Sequence, residues 1–246
     1  VISRDYTAAL NQFPTLVKPH GNAITFGDEP VMIANRTNCP VVIDPNRSRG
    51  VQHLINNYQC NVIISDDGLQ HYALDRDIEI AVVDGHYRYG NQHCLPAGPL
   101  REPMSRLKHV DWIVANNQAN PNEILMEVNF GQAVNVLDQS TQSLDYFQDK
   151  SIAAIAGIGY PDKFFTALRQ KGLPFNHYRF NDHYQYQPND IYPLKESIIL
   201  MTEKDAVKIR TFAKDNYWYI PITAKLPKDF DEGILSALSK HKHGYT

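Results

Sequence analysis

Asp66 and Asp67 stand side by side at the end of an apolar run, "NVIISDDGLQHYAL" (residues 61–74), with Gly68 and His71 just beyond. Ligands of open parallel sheets bind past the carboxyl ends of the strands. Two acids would lie there if residues 61–65 form a buried strand. Side chains alternate across a strand, so both acids cannot face one ligand unless the chain turns between them. One carboxylate on a Mg²⁺ ion and its neighbour organising the loop is the economical arrangement, as at the strand-end acid of a phosphoryl-transfer enzyme. The same three residues would also serve in a solvated turn with an Asp helix cap. His71 would share a face with Asp67 on a helix starting at Gly68, or be a structural histidine.

Other stretches carry similar residue types. "FGDEPVMIA" (26–34) sets Gly27, Asp28, Glu29 and Pro30 before a helical apolar pattern, which suits helix capping by Asp28 with acids near the positive end of the dipole. "LPAGPLREP" (95–103) spends three prolines and a glycine to place Arg101 beside Glu102. That suggests phosphate and metal contacts, or a stiff loop with a surface ion pair. "RFNDHYQY" (179–186) puts His183 after Asp182 among aromatic residues, for proton transfer or for packing. "MTEKDAVKI" (201–209) follows a strand and reads as a capping box, Thr202 with Asp205. "IAGIGYPDKFF" (155–165) offers a GxG without the full dinucleotide fingerprint. The terminal "HKH" (241–243) has ligand-type residues but reads as a solvated tail.

Elements must hold these residues in place. "CPVVID" (39–44), "NVIIS" (61–65), "IEIAVVD" (78–84) and "VDWIVAN" (110–116) read as buried strands, and "RSRGVQHLINNY" (47–58) has helical spacing. Residues 101–109 would form another helix. "EILMEVNFGQAVNVLD" (123–138) predicts two strands in a hairpin about Asn129-Phe130-Gly131. A second α/β series then follows: a strand at 151–159, a helix at 160–172, strands at 197–202 and 217–222, and a last helix near 231–242. The reading is α/β: a parallel-sheet core lobe over 1–122, a hairpin linker over 123–140 and a smaller α/β lobe over 141–246.

The chain has 246 residues, 43% of them hydrophobic and 21% charged, with a net charge of −3. That balance, with no basic stripe, argues against nucleic acid as a partner. Cys39, Cys60 and Cys94 are odd in number and lack CxxC spacing, so neither a disulfide framework nor a Cys-based zinc site is expected. No apolar run approaches the ~18 residues of a membrane span, and no signal peptide is visible. The opening "VISRDY" reads as the tail of a strand, and the chain is expected to be a fragment or processed form.

In order, "GDEP", "VIISDDGLQHY", "IEIAVVDG", "LPAGPLREP", "AGIG.P..FF", "F.DH..Y" and "TEKDAVK" resemble the tetraacyldisaccharide 4'-kinase family, the lipid A 4'-kinases of Gram-negative bacteria. The resemblance runs over nearly the whole chain. It implies a P-loop NTPase-like core and an enzyme using ATP and Mg²⁺. The implied reaction moves the γ-phosphate to the 4'-hydroxyl of lipid A disaccharide 1-phosphate, peripherally on the cytoplasmic face of the inner membrane. It also implies that Asp28 takes the hydroxyl proton and His183 pairs with it. Asp66, with Asp67 beside it, would hold the metal, with Glu102 near the same ion. Arg101 and His71 would touch phosphates or support that network. With Asp28 and His183 on different lobes, lobe closure would assemble the pair.

Two departures from the family matter. No GxxxxGK[ST] occurs in these residues, so the amides and Lys that cradle the β- and γ-phosphates are missing from them. The family's "SRGYGG" reads "SRDYTAA" here, with Asp5 and Thr7 at glycine positions. The chain alone is therefore expected to be inactive. The alternatives are a non-catalytic remnant that binds lipid or a protein partner and, more remotely, a metal-dependent phosphatase. The role of Thr202 to Lys208, near the adenine or merely packed, stays open.

Overall fold

β1 (Ile2–Ser3) opens the computed structural model, which describes residues 1–4 and 12–241; the Asp5–Thr7 departure and most of "HKH" fall outside those residues. β2 (Thr15–Leu16), α1 (Ala23–Phe26), α2 (Asp28–Arg36), β3 (Val42–Ile43) and α3 (Arg47–Tyr58) follow. β3 is the middle strand of a small sheet, parallel to β1 and antiparallel to β2. α3 has the bounds its apolar spacing predicts, and the Asn46 side chain caps it by accepting the Arg49 amide. A glycine inside a helix costs ~1 kcal/mol against Ala, yet Gly50 is required here. A Cβ at Gly50 would sit 2.4 Å from Ile2 Cδ1, so its absence lets α3 close onto β1. Cover comes from Leu54 of α3 over Ile2 and Val42.

The expected strand at 61–65 reduces to one parallel bridge between Ser65 and Ile2, flanked by Ile2 N–H to Ile64 O and Asp66 N–H to Ile2 O. β1 is two residues long, so it offers a ladder no longer than that, and Val62 and Ile64 are exposed rather than buried. Asp66 still lies just past the paired residue, at the strand's carboxyl end.

The chain next builds a separate sheet from β4 (Ile80–Asp84), β5 (Trp112–Asn116) and β6 (Ile124–Phe130), with β4 parallel to β5 and β5 to β6. The helix expected at 101–109 is a 3₁₀ segment, Met104–His109, entered from Pro103.

A six-stranded sheet forms from β7 (Ala133–Asn135), β8 (Thr141–Gln142), β9 (Ile152–Ala156), β10 (Asn176–Arg179), β11 (Ile198–Thr202) and β12 (Tyr217–Ile220), in the order β10-β9-β11-β12-β7-β8. Its first four strands are parallel. Helices α4 (Pro161–Gln170), α5 (Pro188–Ile191) and α6 (Glu203–Ile209) lie between them in sequence. Strand alternation sends Ile152, Ala154 and Ala156 of β9, with Ile198 and Leu200 of β11, into one core beside Phe164, Phe165 and Leu168 of α4. Ala153 and Ile155, with Ile199 and Met201, enter the core on the other face beside Tyr186, Ala206 and Ile209. Such two-sided burial is what the continuous apolar runs of β9 and β11 require. α6 also sends Val207 against Val31 and Ala34 of α2, so α2 packs between the small sheet and α6.

β13 (Ile222–Lys225) and α7 (Lys228–His241) end the described chain. β13 joins the second sheet beside β6, and Phe230 of α7 packs edge-on to Trp112 of β5. The expected hairpin is absent: β6 pairs with β5 and β13, whereas β7 pairs with β8 and β12. Residues 1–68 with 130–221 form one compact unit, and 69–129 with the chain from 222 on form another. The division therefore cuts across the lobes expected at 1–122 and 141–246. Adjacent strands of sequence entered different sheets, with Pro221 likewise parting β12 from β13.

Candidate functional site

Gly27, with φ 87°, is the residue that caps α2, which leaves Asp28 as the first helical residue and not the cap. Its Oδ1 accepts the Glu29 amide at 2.9 Å. Its Oδ2 is buried and makes no hydrogen bond. Nitrogen atoms surround that oxygen instead: His183 Nδ1 at 3.3 Å, Lys204 Nζ at 3.9 Å and Lys208 Nζ at 4.0 Å. His183 holds a left-handed backbone, φ 54°, a conformation that costs an L residue ~1–2 kcal/mol. Asp28 and His183 belong to the same compact unit. Lobe closure is thus not what brings them together.

α6 is the element that builds this arrangement. Thr202 caps it, its hydroxyl accepting the Asp205 amide and donating to Asp205 Oδ2, so the expected capping box is formed only on its Thr202 side-chain half. Lys204 and Lys208, four residues apart, share the face toward α2. Lys204 donates to Glu29 at 2.9 Å and lies 3.9 Å from Asp182. Burial pulls the Lys204 ammonium down, but the Glu29 hydrogen bond and the charges of Asp28, Glu29 and Asp182 outweigh it, and its proton affinity is raised. Beneath, Asp205 and the Lys208 side chain are both fully enclosed and paired at 2.8 Å. Asp205 also accepts the Gly157 N–H and the Tyr186 hydroxyl, and Lys208 donates to the Gly157 carbonyl. The GxG thus has a local task here: a Cβ at Gly157 would lie 2.7 Å from the Tyr186 oxygen.

Asp66 accepts the Ser3 hydroxyl at 3.1 Å. Burial, reinforced by Asp67 and Glu29 and opposed by Ser3 and Arg47, holds its carboxyl above the ordinary range. Asp67 is exposed in a left-handed turn, φ 48°. No helix starts at Gly68, so Asp67 and His71 do not share a helix face, and the two residues fall in different units.

In the second unit Glu102 accepts hydrogen bonds from Gln70 Nε2 at 2.8 Å and from the Tyr72 hydroxyl, with Arg106 Nε at 3.5 Å. Burial pushes its carboxyl up. The Tyr72 and Gln70 bonds and the charges of Arg106 and Arg76 overcome that, and it sits below the ordinary range. Arg101 is exposed, and His71 is half-buried with its carbonyl accepting from Arg76. The structure therefore brings Asp28 and His183 together, places Asp66 in the same unit and assigns Glu102, Arg101 and His71 to the other. Among the described residues no group of three or more His, Cys, Asp or Glu stands ready as a metal cage. Sequence reasoning missed Lys204, Lys208 and Tyr186 as members of the site. The spacing of Lys204 and Lys208 puts them on one helix face but does not say what that face meets.

Comparison with known proteins adds three findings. The sequence pattern of the family described as tetraacyldisaccharide-1-P 4'-kinase matches residues 1–239. A tetraacyldisaccharide 4'-kinase of Nitrosococcus oceani is 45% identical over 240 residues, 98% of this chain and 71% of the relative. One of Legionella pneumophila strain Corby is 46% identical over 236 residues, 96% and 72% of the two chains. Among solved structures, the "apo" form of LpxK from Aquifex aeolicus in complex with ATP superposes with a TM-score of 0.78 at 24% identity, over 97% of this chain and 77% of that one.

Proposed function

Since the chain belongs to the tetraacyldisaccharide 4'-kinase family, we propose that it is the body of a kinase that transfers the γ-phosphoryl group of ATP to the 4'-hydroxyl of a lipid A disaccharide 1-phosphate. The observation that carries the reading is the Asp28 Oδ2 atom. It is buried, makes no hydrogen bond, and has His183 Nδ1 at 3.3 Å. Phosphoryl transfer asks mostly for alignment and charge neutralisation, and an open carboxylate oxygen can still accept a proton. As the 4'-oxygen bonds to the γ-phosphorus and ADP leaves, the hydroxyl proton passes to Asp28 Oδ2. His183 holds that carboxylate in position, and Lys204 supplies positive charge beside it.

Asp66 fits a Mg²⁺ ion. Burial and two neighbouring acids disfavour its charge, a cation would relieve that, and Mg²⁺ needs only one or two protein carboxylates with phosphate oxygens. Bound there, the ion would neutralise charge on the phosphates. Asp67 would support the turn that holds Asp66. Glu102 fits less well, because its donors Gln70 and Tyr72 already occupy it and Arg106 pairs with its charge. In this reading Arg101 and His71 serve the phosphates or the supporting network. The acceptor's acyl chains stay in the bilayer, so the enzyme would work at the cytoplasmic face of the bacterial inner membrane. No described helix is long and apolar enough to cross a membrane.

No GxxxxGK[ST] occurs in the 246 residues, which favours a second reading in which they bind lipid or a protein without turnover by themselves. Transfer of labelled γ-phosphate to tetraacyldisaccharide 1-phosphate in detergent separates the two. The assay would use this chain alone and this chain joined to the upstream segment of the Nitrosococcus oceani relative. Activity in the joined protein only is the expected result. Inactivity in both would contradict the kinase reading.

A further inference from the structure

We propose that Lys208 is a positioning residue: from below Asp28 its ammonium keeps that carboxylate charged and fixed while leaving Oδ2 open to the incoming hydroxyl. The inference rests on the reading of Asp28 as the proton acceptor. The Lys208 side chain is 1% exposed and Asp205 0%. Fold stability alone gives little reason to bury such a pair, because apolar replacements of similar volume often stabilise a protein as well or better. The pair is held with unusual completeness. Asp205 accepts from Gly157 N–H with both oxygens, from Tyr186, from Thr202 and from Lys208. Lys208 gives one hydrogen bond to Asp205 and one to the Gly157 carbonyl.

What the fixed ammonium faces beyond its counter-ion is Asp28 Oδ2, at 4.0 Å. At that separation it acts through charge and occupies no lone pair of the oxygen. The groups that face Asp28 are Glu29 from α2, Lys204 and Lys208 from α6, and Asp182 and His183 from the segment before α5. Lys204 is partly exposed and divided among Asp28, Glu29 and Asp182. Among the described residues Lys208 has ion pairs with Asp205 and Asp28, and it lies over the Tyr186 ring at 5.1 Å. Its charge is therefore shared between two carboxylates, Asp205 at 2.8 Å and Asp28 at 4.0 Å, whereas that of Lys204 is shared among three.

The test compares Lys208→Met with the double variant Asp205→Leu/Lys208→Met, which removes both buried charges together. In the joined protein, Lys208→Met should lower kcat at least tenfold with KM within twofold, and should move the acid limb of the kcat–pH profile upward by at least half a unit. The double variant should recover thermal stability and keep the kinetic defect. Recovery of the parental kcat and acid limb by the double variant would overturn the proposal, leaving Lys208 as no more than a counter-ion to Asp205. A second readout needs no turnover: the position of the Asp28 carboxylate in crystal structures of the chain as it stands. The double variant should show a displaced or split Asp28 carboxylate, and a single position coincident with the parent's would overturn the proposal whether or not the kinase reading survives.

Discussion

Asp28, at the start of α2, keeps one buried oxygen clear of hydrogen bonds while three nitrogen atoms stand 3.3 to 4.0 Å away. Glu102, in the second unit, is less deeply buried and has Gln70 and Tyr72 bonded to its oxygens, with Arg106 beside them. The first carboxylate is supported by charge and left unsatisfied; the second is satisfied. A buried group without its hydrogen bond costs free energy, and in the proposed reading the incoming hydroxyl supplies the missing partner. A saturated carboxylate marks a place where the fold is already complete.

The largest expected effect sets the two acids directly against each other. In the joined protein, Asp28→Asn should lower kcat by about 10²–10⁴-fold, the range for loss of a general base, while Glu102→Gln should lower it less than tenfold. Steady-state kinetics decide it, and comparable losses would dissolve the contrast. Next comes the support beneath Asp28. Gly157→Ala drives a methyl toward the Tyr186 oxygen, so unfolding free energy should drop by about 1–3 kcal/mol, as overpacking does. Denaturant titration checks this.

Asp66 sharpens the comparison through pH. Its folded-state carboxyl binds a proton more tightly than in the unfolded chain. Stability should therefore fall as pH rises from the ordinary carboxylate range through the folded value, and the whole cost is present above it. Asp66→Asn should raise Tm at pH 7 in the absence of Mg²⁺ and lose that advantage in acid, at the expense of Mg²⁺-dependent activity. The smallest effect belongs to Tyr72→Phe. Glu102 is held below its ordinary range, so its stabilisation is present above that range and lost as pH falls through the folded value. Deleting one hydroxyl should cost about 0.5–1 kcal/mol at pH 7 and nothing measurable at low pH.

Local features were legible in the sequence. The bounds of α3 follow from apolar spacing, and the two-sided runs of β9 and β11 announce buried parallel strands. Partner choice was not legible. β6 and β7 are separated by two residues and look like a hairpin, but which sheet each joins is set by strands distant in sequence. Residues 61–65 have strand composition and a two-residue partner, so Val62 and Ile64 end up exposed. The pairing of Asp28 with His183 was readable only through family resemblance. The buried lysine beneath was not readable, since nothing in "TEKDAVK" says which face of α6 meets α2.

The most direct test of the account is the turnover of His183→Ala in the joined protein, measured against the parent across pH with ATP and tetraacyldisaccharide 1-phosphate. A loss of tenfold or more in kcat, with the pH profile altered and KM little changed, is the predicted result. Parental turnover with an unchanged profile would contradict the assignment of Asp28 and His183 as the proton-accepting pair.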